Sequence, residues 1–135
     1  MKRTLLIVLV IILTISMSVP ASATTEENVI QPRWSYFTAI AASLEINWLG
    51  IATYSGSAQV NGAYNVKTVV RLQQLNSGRW ITIDTLSFTG LVSAAGQGKL
   101  AVESGYTYQA YVVAYVYDAN GNILESVSAT DTFVY

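Results

Sequence analysis

Ser104-Gly105-Tyr106-Thr107-Tyr108-Gln109-Ala110-Tyr111-Val112-Val113-Ala114-Tyr115-Val116-Tyr117-Asp118-Ala119-Asn120-Gly121 carries no helical period. Side chains of an extended chain alternate between two faces. Ala110, Val112, Ala114 and Val116 therefore share one face, and Tyr111, Val113, Tyr115 and Tyr117 share the other. β-Branched and aromatic residues of this kind suit a pleated, half-buried surface. The stretch reads as a strand over residues 106–118, the longest in the chain, with the small apolar set turned to a core. Asn120-Gly121 then returns the chain into a last strand over residues 123–133.

The same alternation extends toward the N-terminus. Residues 39–49 place Ile40, Ala42, Leu44, Ile46 and Trp48 on one face and Ser43, Glu45 and Asn47 on the other, before Gly50 breaks the run. Further strands are expected over 51–60, ended by Asn61-Gly62, over 66–75, and over 79–88 after the turn Asn76-Ser77-Gly78. The Gly/Ser/Ala-rich residues 89–98 read as a loop, and 99–103 as a short strand. Seven short strands separated by Gly/Asn turns predict an all-β fold, a seven-stranded antiparallel sandwich, with a small barrel as the alternative. Trp34, Trp48 and Trp80 are expected as core anchors or plugs at its ends.

Two registers are open to the final hairpin. A two-residue turn at Asn120-Gly121 would set Glu125 opposite Val116, inside, and burying an unpaired carboxylate is too costly. A type I turn over Asp118-Ala119-Asn120-Gly121 with a left-handed glycine shifts the partner strand by one residue. This register sets Leu124 against Val116 inside, with Glu125 against Tyr115 and Val127 against Val113 outside. It gathers Tyr111, Val113, Tyr115, Tyr117, Ile123 and Val127 on one outer face beside Arg71 and Gln73, a candidate binding face large enough to mark an interaction site.

Gly105 before Tyr108 and the alternation after it resemble the sixth strand of fibronectin type III and immunoglobulin-like domains. The resemblance implies an immunoglobulin-like sandwich with Tyr108 as the corner tyrosine, buried and bonded to backbone in the loop before residues 99–103. The usual third-strand Trp is replaced by Leu72, and the absence of Cys excludes the immunoglobulin disulfide. Three longer stretches also resemble a family of short secreted proteins of unknown function from spore-forming Gram-positive bacteria: Pro32-Arg33-Trp34-Ser35-Tyr36, residues 72–84 (LQQLNSGRWITID), and GYTY at 105–108 with VYDANGNILES at 116–126. That resemblance implies export and a compact domain, and it implies no activity.

At the start of the chain, Lys2 and Arg3 precede an apolar run over residues 5–13, Pro20, and the small residues Ala21-Ser22-Ala23. This order predicts a signal peptide over 1–23, a flexible leader over 24–33 and a domain over 34–135, in a secreted or cell-surface protein. Membrane contact is expected only through the first segment, if it stays uncleaved. Without the two basic residues of residues 1–23, five basic against eight acidic residues leave a net charge of −3, so nucleic acid is not an expected partner.

The chain has no His and no Cys, which removes the commonest general base and the thiolate nucleophile. Beyond residue 23 the only lysines are Lys67 and Lys99, and Glu45, Asp84, Glu103, Asp118, Glu125 and Asp131 are scattered. Asp118, Asn120 and Asn122 open like a calcium loop, but the glycine falls at the fourth position instead of the sixth, and a hairpin turn explains them. No cofactor, metal or catalytic residue is expected. The expectation is a non-catalytic module that binds a protein partner or itself, with a small carbohydrate-binding module using the surface tyrosines as the alternative.

Overall fold

The computed structural model describes residues 33–135, so the expected signal peptide and all of the leader except Arg33 lie outside the described residues. Seven strands follow one another: β1 (Phe37–Ile46), β2 (Ile51–Val60), β3 (Asn65–Asn76), β4 (Arg79–Leu91), β5 (Ser93–Ala101), β6 (Thr107–Tyr117) and β7 (Ile123–Val134). All pairings are antiparallel, in a three-stranded sheet of order β1-β2-β5 and a four-stranded sheet of order β4-β3-β6-β7. The two face each other as a β-sandwich and do not close into a barrel.

The core has two parts. Leu44, Ile46, Tyr54, Leu72, Tyr108, Ala110 and Val112 fill one half, and Phe37, Ala58, Val60, Val66, Ala114, Val116 and Val127 fill the other. The face of β6 read as inward, Ala110, Val112, Ala114 and Val116, is fully buried. Its small side chains leave room for Tyr54 and Tyr108, the largest fully buried residues. Among the described residues no buried side-chain N or O atom lacks a partner, so the sandwich closes without an uncompensated polar group.

Tyr108 is the corner tyrosine: its hydroxyl donates to the Glu103 carbonyl at 2.6 Å. The acceptor lies after β5, in the loop leading into β6, and not in a loop before residues 99–103. The correction follows from the length of β5. Residues 93–98, read as loop, are strand, and every one of them pairs with β2. The smallness of the inward glycines is a packing requirement, since a Cβ on Gly96 would collide with the Phe88 ring of the opposite sheet and one on Gly98 with Leu86 and Tyr54. Glycine here admits an aromatic neighbour from across the core.

The two open sides of the sandwich are closed differently. On one, the chain passes directly from β4 to β5 through Val92, a β-branched residue at φ 69°. Val92 is held there by bonds to Tyr64 and Val60, each 2.9 Å. On the other, β7 lies beside β1 and carboxylates reach across. Glu125 accepts the backbone N–H groups of Ser35, Tyr36 and Phe37 at 2.8, 2.9 and 3.1 Å, and Asp131 accepts that of Leu44 at 2.8 Å.

Candidate functional site

The four-stranded sheet turns a wide surface to solvent, and its registers order that surface into rows. Leu91, Asn65, Tyr117 and Ile123 form the first, Thr89, Lys67, Tyr115 and Ser126 the second, Ser87, Val69, Val113 and Ser128 the third, and Thr85, Arg71, Tyr111 and Thr130 the fourth. Gln73 lies in the next row, where its side chain accepts from Gln109 Nε2 at 2.6 Å and donates to Thr82 Oγ1 at 3.1 Å. Tyr111, Val113, Tyr115, Tyr117, Ile123, Arg71 and Gln73 are therefore brought together as expected. Lys67, Val69 and Asn65 join them, and cross-strand pairing brings them there.

This surface has an internal structure. Val69 and Val113 oppose each other and are nearly buried, although they face outward. The rows on either side pair Lys67 with Tyr115 and Arg71 with Tyr111. Those rings and aliphatic stems cover the valines while their polar ends reach water. The middle rows therefore present phenol rings and cations, and exposed apolar side chains of this face remain at the ends of the first row, Leu91 and Ile123. Tyr115 and Tyr117 stack at a tilt, with ring centroids 6.5 Å apart. Beside Tyr117, an open depression of about 470 Å³ is lined by Asn65, Lys67, Thr89 and Leu91.

Val127 does not belong to this face. It pairs with Ala114, is 8% exposed and lies in the core. The turn itself has the expected form: Gly121 is left-handed at φ 82° and Asp118 accepts its N–H at 3.2 Å. A second irregularity then follows at Leu124, between the pairs Tyr117–Ile123 and Val116–Glu125. It cancels the first shift, so Glu125 points inward opposite Val116, the register rejected above. The premise of an unpaired carboxylate fails, because Glu125 takes three N–H donors from the start of β1. Burial pushes its carboxyl up, and those three bonds together hold it below the ordinary carboxylate range.

The other acids of these strands are also turned inward. Asp84 faces the core beside Leu72 and receives the Tyr54 hydroxyl. Burial, and then that bond to Asp84, pushes the Tyr54 phenol far above its usual value. Asp131 holds Leu44. At the end of β6, Asp118 spends its carboxylate on its own turn, accepting from the backbone of Asn120 and Asn122 and from Asn122 Nδ2 at 2.8–3.0 Å. Those bonds, the Asn122 side chain first, hold its carboxyl low. The oxygens that would open a calcium loop are committed to the hairpin, and among the described residues no group of three or more acids is placed to hold a metal ion. The outer rows of the four-stranded sheet thus contain Lys67 and Arg71 and not one Asp or Glu.

The tryptophans depart from expectation. Trp34 is half-buried against the second core cluster, but Trp80 is exposed on β4 and Trp48 is 86% exposed. β1 stops at Ile46, three residues short of the expected run to residue 49, because Asn47 and Gly50 close a turn. No family model matches this chain, and no curated protein matches it.

Proposed function

We propose that this protein is a secreted, non-catalytic binding module that docks an acidic protein partner, or a second copy of itself, on the outer face of β4-β3-β6-β7. The observation that carries the reading is the sorting of charge on these strands. Asp84, Glu125 and Asp131 are turned inward and bonded, while Lys67 and Arg71 stand outward among Tyr111, Tyr115 and Tyr117. Tyrosine and arginine are enriched where proteins meet, since rigid rings and forked cations give large contact area at small entropic cost. The commitment of these carboxylates to structural bonds, with no His or Cys in the chain, supports a role without catalysis. A signal-like N-terminus and the resemblance to small exported proteins support the location.

The depression formed by Asn65, Lys67, Thr89, Leu91 and Tyr117 favours one second reading, a carbohydrate-binding module. A phenol ring for stacking is combined there with amide, hydroxyl and ammonium donors for sugar oxygens. Capture experiments separate the two. Lys67→Glu with Arg71→Glu abolishes recovery of a partner, or self-association, from the exported fraction of the host. Tyr117→Ala abolishes glycan retention if the second reading holds. Recovery unchanged by both variants, with folding intact, excludes this face.

A further inference from the structure

Two hairpins of this molecule are closed by the same turn. In Asn47-Trp48-Leu49-Gly50 the first residue accepts the N–H of the fourth at 3.0 Å, and in Asp118-Ala119-Asn120-Gly121 it does so at 3.2 Å. The glycines stand at φ 78° and 82°. Asn47 Oδ1 accepts from Leu49 and Ile51 at 3.0 and 2.9 Å, as Asp118 Oδ1 accepts from Asn120 and Asn122 at 2.8 and 2.9 Å. The geometry fixes the first and fourth positions and leaves the middle two free. One turn fills them with Ala119-Asn120, the ordinary choice for a solvated tip. The other carries Trp48 and Leu49, 86% and 62% exposed. The fold does not require these two side chains, since neither supports the core.

We propose that the Trp48-Leu49 tip is a membrane-surface anchor that inserts into the interfacial layer of a lipid bilayer. The tip projects from its hairpin and lines neither the depression beside Tyr117 nor the shallow one over Ala41, Ser57 and Ala95 on the other sheet. An indole beside an aliphatic chain suits the bilayer interface, where the ring is wet on one side and apolar on the other. The turn is rigid before contact: Asn47 Oδ1 holds two of its N–H groups, and Gly50 O accepts the Val102 N–H at 2.8 Å. Other exposed apolar side chains, Trp80 and Val134, lie at the same end of the sandwich, where β3 meets β4 and β7 finishes. A fluid interface accepts separate projections of this sort without shape matching. The turn itself carries no charged side chain, and the acids around it, Glu45 and Glu103, are matched by Lys99 in the row of Glu45 and by Arg79 beside Trp80, so net charge at this end does not single out anionic lipid. Two inserted side chains give reversible attachment, no stronger than that of a single acyl chain. The anchor is independent of the outer-face reading and adds a membrane contact beyond that expected of the first segment.

The test uses the full chain with Trp34→Phe and Trp80→Phe, leaving Trp48 as the only indole. Binding of vesicles by the apolar N-terminal run then cannot mimic the signal. With phosphatidylcholine vesicles, Trp48 emission moves to shorter wavelength and nitroxide-labelled phosphatidylcholine quenches it, at low and high salt alike. Adding Leu49→Ser lowers the insertion equilibrium about tenfold or more without changing the melting temperature. Unshifted, unquenched Trp48 on a chain that sediments with the vesicles overturns the proposal. So does a response confined to phosphatidylglycerol vesicles and lost in salt. A shift that follows protein concentration instead of lipid also overturns it, in favour of burial against another copy.

Discussion

The outer faces of the two sheets obey the same alternation and carry opposite contents. On β1-β2-β5 the central rows are Ala41, Ser57 and Ala95, then Ser43, Ser55 and Gln97, around a shallow depression of about 330 Å³. The next row sets Glu45 and Lys99 either side of Thr53. On β4-β3-β6-β7 the corresponding positions are tyrosines, valines, Lys67 and Arg71. Since the core lies between the sheets, folding demands neither composition. The outer face of β1-β2-β5 keeps small side chains and one balanced pair of charges, while that of β4-β3-β6-β7 keeps rings and cations by sending its acids inside.

The largest effect is expected where the tyrosine-bearing sheet meets the core. Val127→Ser removes two buried methyl groups and buries a hydroxyl, and should cost about 2–4 kcal/mol in chemical denaturation. Ile123→Ser, on the outer face and 56% exposed, should stay within about 0.5 kcal/mol. Equal losses would return Val127 to the outer face. Glu125→Ala leaves three N–H groups at the start of β1 without their acceptor and should cost about 1–3 kcal/mol. Glu45→Ala, the acid on the small-residue face, should be near neutral by the same assay.

How much of this could be read beforehand depends on distance along the chain. β2, β6 and the bounds of most turns follow from local alternation, and Tyr108 from the glycine before it. Glu125 could not be placed that way, because its donors are 88–90 residues away and only the folded sandwich brings them near. The start of β5 was hidden because glycine signals a loop locally, while its reason here, the Phe88 ring, lies on another sheet. Trp48 is different: the signal was present. Asn47 and Gly50 match Asp118 and Gly121 in type and spacing, and reading the two tetrapeptides side by side ends β1 before the tryptophan. The outer face was legible except where the second bulge moved Val127 inside.

Smaller effects separate inward from outward residues on one strand. Tyr108→Phe removes the hydroxyl bonded to Glu103 and should cost about 1–2 kcal/mol, whereas Tyr111→Phe, three residues on, should change the melting temperature little. The pH dependence should be modest and of opposite sign at the two extremes. The Glu125 carboxyl is depressed in the folded state, so its stabilisation is present above the unfolded value of 4.5 and lost as pH falls through the lower folded one. The Tyr54 phenol is raised, so its stabilisation is present below 10.0 and lost as pH rises toward the folded value. Glu125→Gln should therefore flatten the acid limb of a melting-temperature profile and Tyr54→Phe the alkaline limb. An unchanged limb in either variant would remove that group from the account.

Crosslinking shows directly which face of the sandwich a partner touches. A photo-crosslinking aromatic residue replaces Tyr115 in one variant and Ser55 in another, and each tagged protein is irradiated in the exported fraction of its host. A discrete covalent adduct, with a partner or a second copy, is expected from position 115 and none from position 55. Adducts from position 55 alone, or from neither position while the protein remains folded, would contradict the outer-face reading.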